Sequence, residues 1–109
     1  PGLTAARVSL GLLYRETRRP HDAVEAHREA LARDPRFLEA HVNLVNALRD
    51  ARDPTLVKAV YESLIERHPA VAELHYFYAT LLREADREEA ARERFEIAAR
   101  LDGDLRGAD

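Results

Sequence analysis

The sequence predicts an all-α fold made of paired helices. Three observations carry that expectation: apolar residues recur at helical spacing, breakers interrupt them at regular intervals, and whole segments repeat with a step of 34 residues. EALARDPRF (29–37) and SLIERHPAV (63–71) align with Pro35 and Pro69 one step apart, and FEIAARLDGDL (95–105) follows with Gly103 where proline would be. SLGLLYRE (9–16), NLVNALRD (43–50) and FYATLLRE (77–84) keep the same step, and each closes with an arginine followed by an acid: Arg15-Glu16, Arg49-Asp50 and Arg83-Glu84.

Each unit reads as two helices. Val8, Leu12 and Leu13, and then Leu44, Val45 and Leu48, fit a period of 3.6, and the breakers TRRP (17–20), ARDP (51–54) and ADRE (85–88) follow. Pro20 and Pro54 fall in the first turn of each second helix, where a missing amide hydrogen costs nothing. Asp53 is a natural N-cap, and Asp86 with Glu89 has the spacing of a capping box. The expected helices are 4–17, 20–33, 36–51, 54–67, 71–85 and 87–101, with a frayed tail at 106–109.

Composition narrows the function. The 109 residues are one domain's length, and without cysteine there is no thiol catalysis, zinc-thiolate site or disulfide. A net charge of −3 gives no basic excess for nucleic acid, and no apolar run approaches a membrane span, so neither nucleic-acid binding nor membrane insertion is expected. The reading is a soluble piece, cytoplasmic by preference, excised from a longer protein because methionine is absent even at position 1. Lys58 as the only lysine, beside abundant arginine and alanine, fits a high-GC bacterial genome.

Catalytic patterns are missing. There is no phosphate-cradling glycine loop, and Ser9 and Ser63 lie within expected helices with no nucleophile elbow. His21, His27, His41, His68 and His75 have no metal-ligand spacing, and the carboxylate pairs read as solvated faces. No enzyme activity, cofactor or metal is expected.

A helix-turn-helix period of 34 residues resembles the tetratricopeptide repeat family, with copies at 4–37, 38–71 and 72–105. The first copy has Leu10, Gly11, Tyr14, Ala23, Ala30 and Pro35 at signature places, and the third has Ala79, Ala91, Phe95 and Ala98. The second keeps Leu44, Tyr61 and Pro69, but Val45, Val57 and Leu64 replace small residues. Arg7, His41 and His75 depart from the family at its tryptophan-like position. The resemblance implies a right-handed α-solenoid of three repeats, with a concave face built from the first helix of each and used to bind short peptide segments.

Four neighbours, His75, Tyr76, Phe77 and Tyr78, sweep most of a helix circumference and cannot all enter one core. By the resemblance Tyr78, with Leu10 and Leu44, is core, His75 repeats the packing of His41, and Tyr76 and Phe77 face the groove. The expected groove comprises Val8, Leu12, Val42, Asn43, Asn46, Tyr76, Phe77 and Thr80, with Arg49 and Arg83 at one edge. Aromatic anchors, asparagine amides and arginine forks fit a peptide or partner helix with an apolar anchor and some acidic character. Packing of Tyr76 or Phe77 against the neighbouring first helix stays open as the alternative, as does a merely solvated helix end for the arginine-acid pairs.

Two subtypes fit poorly. Clamping of an acidic chaperone tail needs cationic and asparagine positions where Val8, Leu12, Glu73 and Phe77 stand, and an asparagine ladder is broken by Ser9 and Phe77 on either side of Asn43. The expectation is therefore a protein-interaction scaffold. Its alternatives are the substrate-docking arm of a larger enzyme, such as a bacterial peptide glycosyltransferase, and a self-associating module in which the chain forms a homodimer through the aromatic groove or associates end to end. Arg92 and Ala99 stand where the first copy has Val24 and Leu31, so the last repeat is expected to end the stack with a more polar face.

Overall fold

Six α-helices follow one another along the chain: α1 Gly2–Glu16, α2 Pro20–Arg33, α3 Leu38–Ala51, α4 Pro54–Arg67, α5 Ala72–Glu84 and α6 Glu88–Gly107. The computed structural model describes residues 2–107 and the side chains of residues 2–103. Among the described residues there is no strand, and no helix is long and apolar enough to cross a membrane. α6 runs past Leu101 to Gly107, so the helix continues into the stretch expected to fray; residues 108 and 109 lie outside the described residues.

The first helices α1, α3 and α5 lie side by side, and the second helices α2 and α4 do the same. Two layers of helices at a spacing of about 8–10 Å account for the shortest molecular extent, 18 Å against 42 and 34 Å. One apolar core runs through α1 to α5, with Leu31, Leu44, Leu48, Tyr61, Leu64 and Leu74 almost wholly enclosed.

Side-chain size sets how closely paired helices approach. α1 meets α2 through Gly11, Ala23 and Ala30, and α5 meets α6 through Ala79, Ala91 and Ala98; all six are buried and the backbones come close. In the middle pair Val45, Val57 and Leu64 occupy the matching places, and the backbones of α3 and α4 stay further apart. A methyl-rich contact widens a helix pair because core side chains pack at fixed density.

The turns between paired helices repeat too. Arg18, Arg52 and Asp86, 34 residues apart, all adopt left-handed backbone with φ of 61°, 52° and 61°. Asp86 is thus a turn residue, not the N-cap of α6, because the helix starts two residues later at Glu88 and the capping-box spacing is out of phase. Asp53 does cap, accepting from the Leu56 amide at 3.1 Å. Left-handed backbone costs a residue with a Cβ about 1–2 kcal/mol, and glycine's greater unfolded-state entropy offsets part of that, so Arg52→Gly is expected to raise stability by about 0.5–1 kcal/mol. Urea unfolding checks this; an unchanged or lower midpoint contradicts it.

Candidate functional site: the first-helix face

The sequence-predicted residues divide sharply by burial. Val42 is 45% exposed and Tyr76 is 50% exposed. They hold matching places, one repeat step apart, on the neighbouring helices α3 and α5. Asn43, Asn46 and Thr80 are half-buried, and Arg49 and Arg83 are exposed. Leu38, one turn before Val42, adds 60% exposed apolar surface that the repeat pattern did not single out, since Thr4 and Ala72 hold its counterparts.

Val8 does not belong to this face. It is only 3% exposed and lies in the main core, because α1, packed on α2 and α3, turns its Thr4, Val8 and Gly11 side inward. Leu12 is half-buried against the same core. Leu10, expected in the core, is 39% exposed: its counterparts Leu44 and Tyr78 are enclosed at junctions with a preceding helix, whereas α1 has none before it among the described residues.

Of the four aromatic neighbours, two point inward and two form a partly open cluster. Tyr78 is buried and stacks on Tyr61 with centroids 5.1 Å apart, joining α5 to α4. Phe77 is half-buried and stacks on His41 at 5.2 Å, so it packs at the junction between α3 and α5 and is not a free anchor. Tyr76 meets Phe77 edge-on at 5.2 Å and Phe95 at 5.7 Å. Held by two rings yet half-exposed, Tyr76 is a rigid apolar projection.

The two histidines repeat one device. His41 Nε2 donates to the Pro35 carbonyl at 2.7 Å, and His75 Nε2 donates to the Pro69 carbonyl at 2.9 Å. Burial lowers the His41 pKa and keeps the ring neutral, with the proton on Nε2 where the carbonyl needs it. Each histidine thus ties the start of its helix, α3 or α5, to the loop before it. In α1 the same place is Arg7, which pairs with Glu29 of α2.

The arginine-acid pairs bridge neighbouring first helices. Arg15 Nε donates to Asp50 at 2.8 Å, and Arg49 Nε donates to Glu84 at 2.9 Å. Arg49 also reaches Asn46 Oδ1 at 3.3 Å, and its guanidinium holds the Glu84 carboxyl below its ordinary pKa. Arg83 has no ion pair among the described residues and lies over the Phe95 ring at 5.2 Å. It is therefore the cation at this edge left available to a carboxylate.

No protein-family model matches the chain, and no curated protein is significantly similar to it.

Sequence reasoning missed a second concavity. An open cleft of about 890 Å³ lies between α4 and the α5–α6 pair, with Val57, Tyr78, Leu81 and Leu82 among its apolar lining and Arg52, Lys58, Arg87 and Glu93 among its charged groups. Lys58 and Arg92 replace the buried Val24 of α2 at this outer layer, and that loss of apolar packing was visible in the repeat alignment. Its mixed charge selects no ligand class. Among the described residues no cluster of histidine and carboxylate side chains is arranged to hold a metal.

Proposed function

We propose that the chain is a tetratricopeptide-like array, a right-handed solenoid of three repeats, that acts as a protein-interaction scaffold without catalysis of its own. The ligand is a peptide segment or partner helix laid across α3 and α5. The observation that carries this reading is the exposed apolar line of Leu38, Val42 and Tyr76 on two adjacent helices, flanked by Asn46, Thr80 and Arg83, which has no ion pair among the described residues. Aromatic residues braced by their neighbours lose little entropy on binding and are favoured anchors. Amide and hydroxyl groups beside them offer hydrogen bonds to an extended backbone, and Arg83 favours an acidic residue at one end of the ligand.

Peptides selected from a displayed random library on the immobilised chain provide the probe. Tyr76→Ser is expected to weaken their binding about tenfold in calorimetric titration, with the helical circular dichroism unchanged, while Arg92→Ser has no effect. Equal affinity for wild type and Tyr76→Ser would remove the proposed face from consideration.

A further inference from the structure

A second apolar stripe lies on the outer side of α1, away from the proposed ligand face. Leu3, Leu10 and Leu13 are 61%, 39% and 52% exposed, and Ala6 between them is exposed as well. This is the most open leucine surface among the described residues, and on a helix the spacing 3, 6, 10, 13 forms one continuous seam.

Its identity follows from the repeat. One step on, Ala6, Leu10 and Leu13 become Ala40, Leu44 and Ala47; two steps on, they become Leu74, Tyr78 and Leu81. All six are buried. α3 is packed on α2 and α5 on α4, with Tyr61 of α4 stacked on Tyr78. So in α3 and α5 this seam meets the second helix of the preceding pair, and in α1 the same seam is built but uncovered.

The ion-pair ladder ends at the same place. Asp50 and Glu84 each accept from an arginine of the preceding first helix. Glu16 holds the matching place on α1, is exposed, and has no arginine partner among the described residues. We infer that the outer face of α1 receives a further helical hairpin of the same kind, whose second helix covers Leu3, Leu10 and Leu13 and whose first helix ends in an arginine directed at Glu16. The chemistry of the second helix is that of α2, which buries Val24 and Leu31 seven residues apart. A second copy's α6 does not supply it, because Arg92 and Ala99 stand at those places, both exposed.

The test is a lengthened chain in which a duplicate of residues 4–37 directly precedes Thr4, so that Phe37 of the duplicate takes the place of Leu3. Amide exchange in the receiving α1 is expected to slow roughly tenfold or more, since the helix gains a neighbour on its open side. Leu10→Lys in the receiving helix should abolish that protection, and Glu16→Arg should reduce it. In the original chain Leu10→Lys should leave the melting temperature unchanged, which separates docking from a general fold defect. Unchanged α1 exchange in the lengthened chain would overturn the inference. So would light scattering that finds the original chain dimeric and Leu10→Lys monomeric, because a second copy would then be the occupant.

Discussion

Gly11→Ala is expected to destabilise the protein by roughly 2 kcal/mol, although alanine is the better helix former by about 1 kcal/mol. Gly11 is buried in α1, and a Cβ there would fall 2.5 Å from Nε2 and 2.8 Å from Nδ1 of His27 on α2. His27 is itself 1% exposed, so its ring can yield only by disturbing a closely packed interior. The clash therefore outweighs the propensity gain. The same substitution in a His27→Ala background is expected to be neutral or stabilising, giving a coupling of about 3 kcal/mol in a double-mutant cycle. Urea unfolding of the four proteins measures it. A Gly11→Ala protein more stable than wild type would show that α1 and α2 do not approach as described.

Mild acid should cost the fold about 2 kcal/mol between pH ~7 and pH ~5. Burial pushes the His27 pKa down from 6.5 to about 4, with Nδ1 lacking a hydrogen-bond partner, and burial lowers that of His41 as well. Below about pH 6.5 the unfolded chain takes up protons that the folded chain refuses. Stability is thus complete above that value and is lost as the pH falls towards about 4. Glu25 and Glu84, whose pKa values are lowered by Arg28 and Arg49, lose their contribution at more acid pH, so the window above about pH 5 belongs to the histidines. Unfolding midpoints across this range check the slope, which should be shallower in His27→Ala. A flat profile would contradict a neutral, enclosed His27.

The helices were legible because their signals are local. Proline at the start of α2 and α4, the Asp53 cap and the 3.6-residue apolar spacing set all six helix starts to within two residues, and small residues marked the two tight pairs. The failures came where a neighbour decides the outcome. Leu10 and Leu44 share a repeat position, yet only Leu44 has a helix before it to enclose it. Val8 and Val42 share another, and the inward turn of α1 reverses their exposure. Phe77, expected in the groove with junction packing as the open alternative, takes the alternative by stacking on His41, and Asp86, expected as a cap, is instead the left-handed residue of the turn. The arginine-acid pairs were visible as a pattern, but their partners lie on the next helix, which no short segment records.

The claim that α3 and α5 present the ligand face is tested most directly by nuclear magnetic resonance mapping, titrating a library-selected peptide into the isotope-labelled chain. Shift changes are expected to concentrate at Leu38, Val42, Asn46, Tyr76, Thr80 and Arg83. Changes concentrated instead around Lys58, Leu82 and Arg87 in the α4 cleft, or along Leu3, Leu10 and Leu13 on α1, would contradict it.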